Sequence, residues 1–155
     1  MDFSFSREQV MFKKEVIRFA KGKLELNIEI KNAQDEPTIA SAVVGIIRAE
    51  GFVDDCMVTS FSRMTIEEVK RIAPEVRTGF IFGEDYPEDV FEGEWEVLSS
   101  NHANVDSAFV ARARETGKEL HVWTVDDPNM MERLIELGVD GIITNRPALL
   151  LQVMA

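Results

Sequence analysis

Between Leu24 and Lys31 the sequence alternates with a period of two, placing Leu24, Leu26, Ile28 and Ile30 at one parity and Glu25, Asn27, Glu29 and Lys31 at the other. Successive side chains of an extended strand point to opposite faces, so one face of this strand is apolar and the other carries a carboxylate and an ammonium two residues apart. Turned into a covered layer, such a polar row is costly unless its members pair or bind something. Left at a solvated sheet edge, the same row needs no ligand, and the pattern alone leaves both readings open. Other chemistries find no support. Gly117-Lys118 lacks the upstream glycine and following hydroxyl of a phosphate loop, no Gly-x-Gly-x-x-Gly occurs, and there is neither a zinc-spaced Cys/His set nor a nucleophile elbow. His102 lies in a polar loop and His121 inside a strand pattern, and neither is promoted to an acid or a base. The acidic run from Gly83 to Glu94 lacks the spacing of a calcium loop and reads as a solvated loop.

The elements that must position these residues alternate in type. Ser6-Arg7-Glu8-Gln9 is a capping box ahead of Phe12, Val16, Phe19 and Ala20 at helical spacing. After the Leu24–Lys31 strand, Pro37 opens a helix that Gly51 closes. Met57–Phe61 is a strand, followed by a capping box at Thr65 and a helix that Pro74 stops. Arg77–Phe82 and Trp95–Ser99 are further strands, and Asn104–Thr116 is a helix ending at Gly117. Leu120–Val125 is a strand, Asp126-Asp127-Pro128 caps a helix ending at Gly138, Gly141–Thr144 is a strand, and Pro147 opens a last helix. Six strand candidates alternating with helices call for a mostly parallel sheet, because parallel neighbours need crossover connections. The fold class is therefore α/β, in one domain over 1–155. A full eight-stranded barrel needs roughly 250 residues, so 155 would fill only part of one.

Charge narrows the partners. With 17 basic and 28 acidic side chains the net charge is −11, a field that repels phosphate backbones, so no nucleic acid is expected. Asp54 and Asp55 would raise the thiol pKa of the single cysteine, Cys56, which reads as reduced and structural and points to the cytoplasm. The longest apolar run, Ile39–Ile47, is about half of a bilayer crossing, so no membrane span is expected.

Four segments together carry a resemblance. Leu26-Asn27-Ile28-Glu29-Ile30-Lys31, Thr59-Ser60-Phe61, His121-Val122-Trp123-Thr124-Val125 and the stretch from Gly138 to Pro147 are similar, in the same order, to strand motifs of the glycerophosphodiester phosphodiesterases. Asn145 stands where that family has Asp. The resemblance implies a partial TIM-type (β/α) barrel and the hydrolysis of glycerophosphodiesters to an alcohol and glycerol 3-phosphate. It implies a divalent cation, Mg or Ca, with two histidines as general acid and base. Residue by residue, Glu29 matches a metal ligand, Lys31 a lysine near the substrate phosphate, and Phe61 and Trp123 aromatics of the substrate pocket.

The family's His-Arg-Gly, Glu-x-Asp and His-Asp motifs do not precede Leu24, so no catalytic acid or base is assigned and cation binding by Glu29 alone is expected to be weak. The chain reads as the C-terminal portion of the barrel, inactive alone. Six strands taken in order leave two open edges, which a missing N-terminal segment or a homodimer would close. A second reading is a non-catalytic binding or assembly domain with an open flavodoxin-like sheet, in which Glu29 and Lys31 pair only with each other.

Overall fold

The structure, a computed structural model, describes residues 15–31 and 37–155. The capping box at Ser6 lies outside them. Helical backbone over 15–20 (α1) leads to β1 (Leu26–Glu29), α2 (Pro37–Ala49), β2 (Cys56–Ser60), α3 (Arg63–Ile72) and β3 (Arg77–Phe82). The chain continues through β4 (Val97–Asn101), α4 (Ser107–Glu115), β5 (Glu119–Trp123), α5 (Pro128–Leu137), β6 (Gly141–Ile142) and α6 (Pro147–Val153). Single 3-10 turns at Glu88–Phe91 and His102–Asn104 flank β4. The strands neighbour one another in chain order, β1-β2-β3-β4-β5-β6, and the pairs β1–β2, β4–β5 and β5–β6 are parallel. This is the partial TIM-type (β/α) barrel expected from the sequence. A doubly wound sheet reverses its strand order at a switch point, and no reversal occurs here, so the flavodoxin-like topology is excluded. The chain forms two compact units, Met1–Gly79 and Phe80–Ala155.

In the first unit the apolar parity of β1 does what its spacing demands. Ile30 is buried, and Leu26 and Ile28 pack half-buried against a cluster that includes Ile17, Val44, Ile47 and Val58. β2 is buried at every position, as befits a strand covered on both faces. Its first residue, Cys56, has its thiol pushed up to about 11, chiefly by burial and then by Glu25, Asp55 and Asp54. The thiol is thus held protonated and inert. α3 begins three residues before the sequence suggests: Ser62, not Thr65, is the N-cap, its Oγ accepting the Thr65 N–H at 3.3 Å. Ser62 directly follows the strand-end residues Ser60 and Phe61, so the turn leaving β2 dictates where the helix starts.

In the second unit the acidic stretch differs from the expected solvated loop. Val90 and Phe91 of the 3-10 turn are buried, with the Phe91 ring 5.0 Å from Phe109 and Arg112 stacked 4.3 Å above it. Trp95, expected to start a strand, is drawn into this core, where its indole N–H donates to Val90 O at 3.0 Å; β4 therefore starts at Val97. Lys118 closes the same corner by donating to Gly93 O and Trp95 O, both at 2.7 Å. A β-carbon at Gly93 would meet the Trp95 ring at 2.1 Å, so only glycine fits. The alternating carboxylates of the stretch hide two apolar anchors that four acidic neighbours make hard to read.

α4 also starts later than Asn104: a 3-10 turn intervenes, and Asp106 caps the helix by accepting the Phe109 N–H at 2.8 Å. α5 follows the sequence reading closely, with Asp127 as N-cap, Pro128 in the first turn and Gly138 in the left-handed conformation at φ 78°.

If Val90 and Phe91 anchor the acidic stretch, Phe91→Ala costs about 3–5 kcal/mol of unfolding free energy. Urea denaturation checks this, and a loss under about 1 kcal/mol would return the stretch to the solvated loop.

Candidate functional site

The polar row of β1 reaches its end at Glu29, whose Cα lies in register with Thr59 of β2. Lys31 Nζ stands 3.7 Å from Glu29 Oε2, an ion pair open to water, with 73% of the lysine side chain and 32% of the glutamate side chain exposed. Such a pair contributes about 0–1 kcal/mol, so it holds neither group against a stronger ligand. The strand end is set by β2. Ile30 N donates to Thr59 O at 2.8 Å, and the buried Ser60 hydroxyl donates to Ile30 O at 2.8 Å while accepting the Ser62 N–H at 3.1 Å. One hydroxyl therefore fixes the residue between Glu29 and Lys31, the residue before Phe61 and the N-cap of α3. Phe61 leaves the strand with 55% of its surface exposed. Asn27, earlier on the polar row, accepts the Thr59 hydroxyl at 2.7 Å.

In the second unit Trp123 ends β5 opposite Asn101 of β4, and its indole N–H donates to Ser99 O at 2.9 Å. The ring edge is thereby tied to the neighbouring strand while the backbone continues toward Asp126. His121 is half-buried: its Nε2 is 3.5 Å from Glu119 Oε2, and its Cδ2 would be 2.8 Å from a β-carbon at Gly141. Gly141 thus gives the imidazole room, and the histidine packs as part of the sheet. His102 sits in the 3-10 turn after β4.

Beyond β5 the backbone is clasped to the segment after β6. Asp126 accepts Thr144 Oγ1 at 2.9 Å, Asn145 N at 2.8 Å and Asn145 Nδ2 at 2.9 Å, while its own carbonyl accepts Arg146 Nη1 at 3.2 Å. The Asn145 side-chain amide first, then the Asn145 N–H and the Thr144 hydroxyl, hold the Asp126 carboxyl below its ordinary range. Sequence reasoning placed Asp126 only as part of a helix cap and did not single out Ser60. The signal for Ser60 was a hydroxyl at the last strand position, where the ladder runs out of partners. For Asp126 it was a carboxylate just past one strand end in a chain whose next strand end carries Thr144 and Asn145.

Glu29, Lys31 and Phe61 are thus brought to the C-terminal ends of β1 and β2 in one unit, and Trp123 to the C-terminal end of β5 in the other. Among the described residues, no three His, Cys, Asp or Glu side chains gather so as to hold a metal ion.

Parallel strands in chain order, with charged and aromatic side chains at their C-terminal ends, define the (β/α)-barrel class, whose active sites are built at those ends. Within that class, the chain belongs to the Glycerophosphoryl diester phosphodiesterase family, which it matches over residues 2–149. A glycerophosphodiester phosphodiesterase of Caldanaerobacter subterraneus subsp. tengcongensis is 30% identical over 133 residues, covering 83% of this chain and 55% of that protein. The crystal structure of a glycerophosphodiester phosphodiesterase from Parabacteroides distasonis superposes with a TM-score of 0.78 at 24% identity, over 92% of this chain and 63% of that one. An Oleispira antarctica phosphodiesterase solved with the product sn-glycerol-3-phosphate gives a TM-score of 0.76 at 19% identity, over 84% of this chain and 55% of that one. The chain spans about half the length of the curated relatives it matches.

The Asp126 clasp has a pH signature. Because the folded carboxyl titrates below its unfolded value, its contribution to stability is complete above the ordinary carboxylate range and is lost as pH falls through the depressed folded value. Asn145→Asp removes the leading donor and sets a second carboxylate against the first, so Asp126 titrates at higher pH and the loss begins earlier on acidification. Carboxyl-carbon NMR titration of Asp126 in both proteins measures this; an unchanged midpoint in Asn145→Asp would show that the amide does not hold the carboxylate.

Proposed function

We propose that this chain supplies part of the active site of a glycerophosphodiester phosphodiesterase, hydrolysing glycerophosphodiesters to an alcohol and glycerol 3-phosphate. The observation that carries the reading is the pairing of Glu29 and Lys31 at the C-terminal end of β1, 3.7 Å apart, within a segment similar to the family's motif. In the reaction, water attacks phosphorus and the bond to the alcohol oxygen breaks, so the charge to be balanced lies on the phosphate oxygens. Lys31, on a flexible stem and largely in water, is a point cation suited to that task. Phe61 and Trp123 offer aromatic surfaces for the uncharged parts of the substrate.

The family's divalent cation would supply charge compensation at the same phosphate. Glu29 offers it one carboxylate, whereas Mg or Ca requires about six to eight oxygen ligands. The described residues therefore do not form a cation site by themselves, and Glu29 acts as one ligand among several. Neither histidine is placed as an acid or a base, since His121 packs over Gly141. A general acid–base pair contributes roughly 10²–10⁴ in rate, so a protein made of these 155 residues alone is inactive. We place it in the cytosol, in keeping with the buried, protonated Cys56 thiol. Among the described residues, no helix is long and apolar enough to cross a membrane.

The ion pair itself favours one other reading, a non-catalytic binding or assembly domain in which Glu29 and Lys31 serve only to neutralise each other.

Two measurements test the proposal. With glycerophosphocholine and Mg or Ca, the 155-residue chain shows no turnover; turnover abolished by Glu29→Ala would mean that the chain holds a complete site. Calorimetric titration gives a dissociation constant for Ca near or above about 10⁻³ M, and the residual heat disappears in Glu29→Gln. A tight site lost in that variant would mean that other oxygen ligands join Glu29. Binding unchanged in it would remove Glu29 from the cation's surroundings and leave the assembly reading.

A further inference from the structure

A glycerophosphodiester is an anion, and a chain of net charge −11 has few groups to set against it. In the first unit Lys31 stands at a strand end suited to that task. In the second unit the basic side chains divide by place. From α4, Arg112 stacks on Phe91 and Arg114 donates to Gly138 O at 2.8 Å, while Arg133 is exposed on α5. Lys118 precedes β5, at the opposite end of that strand from Trp123, and His121 lies inside the strand over Gly141. His102 and Arg146 remain, each just past a C-terminal strand end, where this class of barrel builds its sites. Arg146 is engaged with Asp126 O at 3.2 Å.

The turn that carries His102 is held in place by side chains. Asn101, the last residue of β4 and in register with Trp123, accepts the Ala103 N–H through its Oδ1 at 2.9 Å, and His102 O accepts the Val105 N–H at 3.2 Å. Asn104 Nδ2 donates to Gly83 O, just past β3, at 2.8 Å and to Ser100 Oγ at 3.1 Å. The turn is thereby tied to the ends of β3 and β4 together. These bonds fix the backbone on both sides of a half-buried histidine. A group held this way loses less freedom when it meets a ligand, which is what a recognition contact requires.

We infer that His102 is a substrate-contacting residue whose imidazole N–H donates to a phosphate oxygen of the glycerophosphodiester. Imidazole carries a donor in both its neutral and its protonated form. The contact therefore needs no proton transfer and leaves His102 outside the acid–base chemistry. The inference rests on the phosphodiesterase reading and adds to it a phosphate contact in the second unit.

Titration of the 155-residue chain with sn-glycerol 3-phosphate, followed by NMR, tests it. The His102 ring, the Trp123 indole N–H and the Lys31 side chain are each expected to shift. His102→Leu weakens the binding about tenfold, the upper range for one lost hydrogen bond. His102→Gln keeps a donor and most of the affinity, and the response to glycerol, which has no phosphate, is the same in all three proteins. Circular dichroism confirms that each variant is folded. Shifts at Lys31 and Trp123 with His102 unmoved, or an affinity that His102→Leu leaves unchanged, would overturn the inference alone. A loss in His102→Leu that is equal for glycerol would put the contact on a hydroxyl and overturn the phosphate assignment. No shift at any of the three groups would overturn it together with the phosphodiesterase reading.

Discussion

The ladder between parallel strands ends before the strands finish their work, and the first carbonyl beyond it must find a donor or lose free energy. At the end of β1 that carbonyl belongs to Ile30, and the donor is the Ser60 hydroxyl, 1% exposed and 2.8 Å away. The same oxygen accepts the Ser62 N–H, which places the N-cap of α3. Glu29 and Lys31 flank Ile30, and Phe61 follows Ser60. The positions of three of the four candidate site residues therefore follow from one buried hydroxyl that saturates a strand end. Burial makes this connection stiff, because water cannot substitute for either partner.

A corresponding device operates in the second unit with different chemistry. There the backbone leaving β5 is tied to the segment after β6 by a carboxylate that collects three donors, and the Trp123 ring is tied to β4 through its indole N–H. Side chains that stop strands at their C-terminal ends are what a barrel protein needs, since its chemistry is placed where the regular hydrogen bonding has run out. Asn145 is suited to the Asp126 clasp as an amide donor; an aspartate at that position would require the cluster to hold a proton or lose a contact.

Family membership and a site shared with other residues fit the same structural facts. The relatives that superpose on this chain extend well beyond the matched portion, and the sheet described here has β1 and β6 as its terminal strands. Glu29 and Lys31 face water rather than a filled interior, and they neutralise each other at 3.7 Å. That arrangement leaves both groups able to exchange partners, because the bond between them is weak and screened.

The sequence by itself determined the period-two strand at Glu29 and Lys31, the alternation of six strands with helices, Asp127 and Gly138 as the limits of α5, and, through four short motifs, the family. Those features are local: each depends on side-chain parity, a cap or a turn within a few residues. Tertiary structure decided the rest. Ser62 displaced Thr65 as a cap because the exit from β2 sets the helix start. Trp95 left the strand because Val90 O, five residues back, offers its indole a buried acceptor. Val90 and Phe91 were buried out of an acidic run because Phe109 packs against Phe91 and Lys118 seals the corner beside Trp95. Ser60 and Asp126 became positioning residues only when a strand distant in sequence brought them a carbonyl to saturate or donors to collect, and no local pattern records where a neighbouring strand will end.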